Sequence, residues 1–284
     1  MSVFIRKEAY TGPVKAVVLD WAGTAVDFGC MGPAAVFVEV FNEQGIAVSV
    51  QEARKFMGLE KKEHIRHMCA LDSVARAWQE KFNRQPGEAD VDMLYDRTAS
   101  LMVDAIAKHA DVIPGVIETI AALRKMGIRI GSSTGYVQEM VDALIPLAKE
   151  NGYAPDAVFC SSDVPAGRPY PWMCYLNAIE LGVHPMEAMV KIGDTVADIE
   201  EGLNAGMWTV GIVKTGNEMG LSRADLEALD PVELDRRVKE IRGRFEQAGA
   251  HYILDQTADV IQVIEAINKR LAAGEQPLGA VRAE

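Results

Sequence analysis

A chain of 284 residues with a formal charge of −12 has material for one large domain or two unequal ones, and it has no broad basic field for holding nucleic acid. With 49% apolar and 25% charged residues it has the composition of a soluble globular protein, and its apolar runs are strand-length, so no membrane span is expected. The acidic balance still permits an anionic small substrate, because a metal ion, a few local cations and backbone N–H groups can make a positive pocket inside a negative protein.

In chain order, the opening MSVFIRKEAYTGPVK lacks the charged-then-apolar layout of a secretory signal. KAVVLD (15–20) is then the first of five Val- and Ile-rich runs that each lead through a turn into a helical pattern; the others are IRIGSS (128–133), AVFCSS (157–162), MVKIGD (189–194) and WTVGIV (208–213). Strands alternating with helices predict an α/β fold, a Rossmann-like parallel sheet covered on both faces with its chemistry in loops at the carboxyl edge. Asp20, Thr134 and Asp194 all fall at such strand ends.

Between residues 29 and 107 the pattern is helical throughout. GPAAVFVEVFNEQG stops at Gly45, and a new helix begins at Ser49, whose hydroxyl and Glu52 form a capping box. LDSVARAWQEKFNRQ and ADVDMLYDRTASLMVDAIAKHA supply further helices before IPGVIETIAALRKMG returns the chain to the sheet. The expected organisation is therefore a core of residues 1–28 and 108–284 with a helical cap, 29–107, inserted after the first strand and hinged on two linkers. Residues 231–248 and 257–271 read as amphipathic helices, and the tail AAGEQPLGAVRAE is expected to be mobile. Cys30, Cys69, Cys160 and Cys174 are widely spaced with no CxxC pair, which argues against a disulfide framework or structural zinc and favours a reducing cytoplasm.

Four segments could build one phosphate site: DWAGT (20–24), SSTGY (132–136), GRPYPW (167–172) and GDTVAD (193–198). Read singly, each has an ordinary explanation: Asp20 and Thr134 can cap helices, Arg168 can satisfy loop carbonyls, and Asp198 can sit in solvent. Read together, Asp20 is a nucleophile toward phosphorus and shares Mg²⁺ with Asp194 and the carbonyl of Ala22. Thr134 and the Gly135 amide then donate to phosphoryl oxygens, Arg168 supplies a forked cation, and Asp198 supports the metal shell.

These segments resemble the motifs of the haloacid dehalogenase superfamily, and the Ala of DWAGT, EARKFMGLEKKEH (52–64) and DVPAGRPYPWMCY (163–175) look like its phosphonatase family. The resemblance spans about residues 14–270 and implies C–P bond hydrolysis of phosphonoacetaldehyde, with Mg²⁺ and a homodimer joined through caps. Phosphatases of the superfamily place an acid two residues beyond the nucleophile, because an alkoxide leaving group needs a proton. Here that position is Ala22. A carbon leaving group needs an electron sink instead, and a lysine imine of the substrate aldehyde provides one.

Lys61 matches the Schiff-base lysine of the family in MGLEK. Helical spacing from Ser49 places Met57, Lys61 and His64 on one face and Lys62 about 100° further round. The plain alternative is that KKEHIR is a solvated charge run. On the resemblance, His64 moves protons with Tyr136, Met57 packs beside the lysine, and Cys30 sits near the site, where a buried structural thiol is an equal reading. Two rival functions stay open: a phosphatase or phosphomutase acting on a small ester, and a receiver-like module phosphorylated without turnover.

Overall fold

A computed structural model describes residues 9–278. The opening segment up to residue 8 and the last part of the tail, 279–284, lie outside the described residues. β1 (Ala16–Leu19) leads into five helices, α1 (Met31–Glu43), α2 (Val50–Arg54), α3 (Lys61–Cys69), α4 (Asp72–Phe82) and α5 (Glu88–Lys108). The chain then alternates: α6 (Val116–Lys125), β2 (Arg129–Thr134), α7 (Gln138–Glu150), β3 (Ala157–Cys160), α8 (Trp172–Glu180), β4 (Met189–Gly193), α9 (Val196–Asn204) and β5 (Trp208–Ile212). α10 (Arg223–Ala228), α11 (Pro231–Gln247), β6 (Tyr252–Leu254) and α12 (Val260–Ala272) complete it.

The six strands form one sheet in the order β3-β2-β1-β4-β5-β6, parallel at every pairing. β1, β4 and β5 are buried along their whole length, which explains why they read as continuous apolar runs instead of alternating ones. One face carries Val17, Leu19, Ile130, Val190 and Ile192 into the principal core with α6 and α12; the other buries Ala16, Val18 and Met189 against Cys174 and Ala178 of α8. β6 was not among the expected strands. Its three residues are all half-buried and too few to show a period.

The helical stretch between β1 and β2 packs α1 and α3 against α5, and α5 also touches α7. It leaves and rejoins the sheet through adjacent connections, joined where the Asp27 N–H donates to Asp111 O at 3.1 Å. The tail differs in part from the expectation of mobility: His251 Nε2 donates to Pro277 O at 2.7 Å.

A second difference falls at the expected lysine. The Ser49–Glu52 capping box forms, but the helix it starts ends at Arg54, and α3 begins separately at Lys61. Two residues cause the break. Gly58 takes the left-handed backbone, φ +91°, and Glu60 caps α3 by accepting from the N–H groups of Lys62 and Glu63 at 2.9 and 3.0 Å. Met57 therefore reaches the site from a turn, and Lys61 stands in the first turn of its helix. A Cβ at Gly58 would also meet the Thr195 side chain of the core, so the bend and the close approach both require glycine. Gly58→Ala is expected to destabilise the chain by about 1–2 kcal/mol in denaturant titrations, the usual cost of holding an L-residue in this backbone region.

Candidate active site

Asp20 follows β1, Asp194 follows β4 and Thr134 closes β2, and these three strands are neighbours in the sheet. Connections depart to opposite sides here, which opens a crevice at the carboxyl edge of a parallel sheet. The crevice is a cavity of about 20 Å³. Asp20, Ala22, Cys30, Met57, Lys61, Thr134, Gly135, Tyr136, Arg168 and Asp194 all line it, together with Pro33, Gly58 and Thr195. Of the residues expected at the site, His64 and Asp198 are off its wall.

Arg168 is buried and engaged on all three nitrogens. Nη2 donates to Asp20 Oδ1 at 2.7 Å and to Ser133 O at 2.6 Å, Nη1 pairs with Asp198 Oδ1 at 2.9 Å, and Nε donates to Glu201 Oε2 at 3.0 Å. This modifies the expected role. Its bonds to protein acceptors fix the rotamer of Asp20 and leave that residue's other oxygen uncommitted, while Arg168 itself still lines the cavity. Beneath it Lys191 Nζ donates to Asp198 Oδ1 at 2.7 Å and Ser133 Oγ at 3.0 Å and pairs with Glu201 at 3.2 Å.

Burial raises the carboxyl pKa of Asp20, and Asp198 adds to the rise while Arg168 and Lys191 oppose it. For Asp198 the same burial is outweighed by Arg168 and Lys191, which hold it below the usual range. Asp198 thus works from behind the site, and Thr195 Oγ1 also donates to it at 2.6 Å.

Asp194 has a different set of partners. Its carboxylate accepts from Thr24 Oγ1 at 3.1 Å, the Asn217 N–H at 2.7 Å and Cys30 Sγ at 3.5 Å, all neutral donors. Burial, then Asp20 and Asp198, push its pKa well above the ordinary value. A fully buried carboxylate with no cationic partner among the described residues is the feature expected of a metal ligand. One oxygen each of Asp20, Asp194 and Asp198 lie within 4.8 Å of one another, a set of hard oxygen donors suited to Mg²⁺. Gly23 lets its loop lie against this pair: φ is +85°, and a Cβ there would strike Asp194 and stand 2.7 Å from Cys30 Sγ.

Lys61 is 2% exposed, with Nζ 4.9 Å from the Tyr136 ring centre and 5.7 Å from that of Phe37. No ion pair to it exists among the described residues. Burial lowers its pKa to about 8, against the opposing pull of Asp20, Cys30 and Glu60. Lys62 points elsewhere, to Asp92 at 2.5 Å on the surface, and its pKa is raised by that bond. His64 is wholly buried, stacked on Phe37 with ring centres 3.9 Å apart, and Nε2 donates to Ala53 O at 2.8 Å. Its Nδ1 has no partner, and burial holds the ring neutral. His64 thus stands behind Phe37, whose ring lies 5.7 Å from Lys61 Nζ.

Thr134 Oγ1 accepts from the Tyr136 N–H at 3.2 Å. At Gly135 a Cβ would lie 2.8 Å from Gly58 O and 2.7 Å from Leu59 O, so glycine here seats the helical insertion on the sheet.

The comparisons with known proteins agree with this geometry. Residues 14–206 match the family model described as haloacid dehalogenase-like hydrolase. A phosphonoacetaldehyde hydrolase-like protein of Syntrophobacter fumaroxidans is 56% identical over 98% of this chain and 100% of its own. The phosphonoacetaldehyde hydrolase of Nitratidesulfovibrio vulgaris is 55% identical over 98% of this chain and 99% of its own; that of Bacillus cereus is 46% identical over 90% and 97%. A crystal structure of a phosphonoacetaldehyde hydrolase-like protein from Oleispira antarctica superposes with a TM-score of 0.93 at 41% identity, over 98% of this chain and 100% of that one. This chain belongs to the phosphonoacetaldehyde hydrolase family of haloacid dehalogenase-like hydrolases.

Sequence reasoning missed two members of the site that this family member buries beneath Arg168: Lys191 and Glu201, both 0% exposed. The signal for Lys191 was present. A lysine inside the apolar strand MVKIGD faces the interior and needs a buried acid. Lys191→Met leaves Asp198 and Glu201 short of a cation and is expected to cost about 3–5 kcal/mol of stability by denaturant titration, as for other broken buried pairs.

Proposed function

We propose that this protein hydrolyses the C–P bond of phosphonoacetaldehyde to acetaldehyde and phosphate through a Lys61 imine and an Asp20 phosphoryl intermediate. The observation that carries the reading is one cavity lined by both Asp20 and a lysine whose pKa is lowered to about 8, with Ala22 where an acid would otherwise stand. At neutral pH an appreciable fraction of Lys61 is the free amine, which an exposed lysine is not.

The neutral amine adds to the aldehyde carbon, and loss of water leaves a protonated imine. The uncommitted oxygen of Asp20 attacks phosphorus, and the C–P electron pair moves into the imine to give an enamine. Protonation on carbon and one water release acetaldehyde and free Lys61; a second water cleaves the acyl phosphate and restores Asp20. Thr134 and the Gly135 amide are assigned to the phosphonyl oxygens, Tyr136 and Met57 to the walls around the imine, and Cys30 to the floor beside Asp194. Asp20, Asp194 and the Ala22 carbonyl would hold Mg²⁺, which lowers the repulsion between two anions when bound. Arg168 holds Asp20 in line, and Asp198 holds Arg168.

The cavity has room for about one water, so substrate entry requires the helical insertion to lift as a cap, 29–107 moving over the core. We also place the protein in the cytoplasm, on four free buried cysteines and on the finding that no helix of the described residues is long and apolar enough to cross a membrane. A homodimer through the caps would cover Val50, Phe82 and Met93, which are exposed apolar side chains of the insertion.

Borohydride added during turnover is expected to inactivate the enzyme and leave a reduced two-carbon or phosphonoethyl adduct on Lys61 by peptide mass spectrometry. An adduct on Lys62, or full C–P cleavage by Lys61→Met, would refute the mechanism. The rate of trapping should rise with pH and level off above about 8, because only the deprotonated amine attacks and the folded-state pKa lies there. Asp20→Asn is expected to reduce phosphate release to background.

A further inference from the structure

The loop after β5 lies between α2 of the helical insertion and Asp194, and it bonds to both. Asn217 donates its main-chain N–H to Asp194 Oδ2 at 2.7 Å. Its side chain makes a reciprocal pair with Arg54, the last residue of α2: Arg54 Nη1 donates to Asn217 Oδ1 at 3.2 Å, and Asn217 Nδ2 donates to Arg54 O at 3.1 Å. The same Nη1 donates at 2.7 Å to Gly29 O, on the connection that carries the chain out of the core into α1. The Gly29 N–H in turn donates to Thr215 O at 2.7 Å, so the connection, the loop and the insertion are tied at one point.

Two glycines allow the loop to fit between its neighbours. A Cβ at Gly216 would stand 2.5 Å from Asp194 Cβ, and one at Gly220 would stand 2.9 Å from Arg54 Nε. Side chains at these positions would push the loop away from the carboxylate on one side and from the guanidinium on the other.

We propose that Arg54 and Asn217 form a latch that fixes Asp194 when the helical insertion is seated. Neither side chain touches a reacting atom; both are positioning residues that act through the Asn217 N–H. A carboxylate that shares a cation with a neighbour binds well only when its oxygens are held in place. The loop is also anchored to the core, by Thr215 Oγ1 donating to Gly23 O at 2.7 Å and by Arg244 pairing with Glu218 at 2.6 Å, but the side chain of Asn217, the residue whose N–H holds Asp194, is anchored by the insertion. Lifting the insertion breaks that side-chain anchor and loosens the carboxylate, so cation binding and closure favour each other, and by linkage each strengthens the other equally. The inference rests on Asp194 being a metal ligand, as assigned under the proposed function.

The test is the Mg²⁺ binding isotherm of the full chain without substrate, by titration calorimetry. Asn217→Ala keeps the main-chain N–H and removes both bonds of the reciprocal pair; Arg54→Met removes the guanidinium donor to Asn217 Oδ1 and to Gly29 O and keeps the Arg54 carbonyl. Each is expected to weaken Mg²⁺ binding about tenfold, the scale of a lost outer-shell partner. The double variant is expected to lose less than the sum of the two single losses, because the Arg54 Nη1–Asn217 Oδ1 bond is removed in both and only the bond to Gly29 O is additional. Unchanged affinity in the single variants, or additive losses in the double, would overturn the latch while leaving the C–P hydrolysis reading intact. If Arg54→Met does not fold, the isotherm of Asn217→Ala decides alone. Wild-type protein that binds no Mg²⁺ would remove the Asp194 assignment and the latch together, whether or not borohydride still labels Lys61.

Discussion

The structure depends on keeping four buried acids, Asp20, Asp194, Asp198 and Glu201, next to one another beneath a parallel sheet edge. Such a cluster is unstable by itself, since each ionised group is both desolvated and repelled. Arg168 and Lys191 reach Asp20, Asp198 and Glu201 from two directions and neutralise part of the charge. What they leave is one carboxylate, Asp194, with only neutral donors. The charge deficit of the fold and the cation required by its chemistry therefore coincide. The pairing also distinguishes the two oxygens: Asp20 Oδ1 is held by Arg168, and the other is the one free for the proposed attack on phosphorus.

The helical insertion solves a second electrostatic problem, that of a lysine in a site built for anions. Nearby carboxylates stabilise its ammonium form, yet burial prevails and takes the pKa to about 8. That burial exists because Gly58 and Gly135 let the insertion settle on the sheet with backbone against backbone. The aromatic faces of Tyr136 and Phe37 then surround Nζ in place of water. The proposed lifting of the insertion would therefore be a chemical event as well as a steric one, returning Lys61 to water and to its ordinary protonation state.

Much of this could be read in the sequence. Five of the six strands announced themselves as buried apolar runs, and Asp20, Thr134 and Asp194 followed from strand ends in a parallel sheet. Lys61 was legible for a chemical reason, the absence of an acid at position 22, joined to a family resemblance. The helix around it was not, because periodicity alone places Met57, Lys61 and His64 on one face and overlooks Gly58, which is left-handed and packed where a Cβ would meet Thr195. That contact joins residues far apart in the chain, and no local pattern contains it. Lys61 and His64 stay on one helix, α3, so the break displaces Met57 relative to both. Arg54 and Asn217 were invisible for the same reason: each is an ordinary polar residue until the fold brings them together.

Cavity size, finally, is a poor guide to where the chemistry lies. The large cavity of about 930 Å³ lined by Ile179, Pro185, Met186 and Gly206 lies at the amino edge of β4 and β5, away from every charged group discussed above, whereas the site itself measures about 20 Å³. Burial of Lys61, not the size of the cavity, is what lowers its pKa. The same burial bears on the phosphate-ester alternative. An esterase of this superfamily gains little from desolvating a lysine and needs an acid for its alkoxide, whereas here the amine is dry and the acid position is Ala22. The buried amine and the missing acid both suit the proposed imine route, in which the electrons leaving with carbon are delocalised and not protonated at the moment of cleavage.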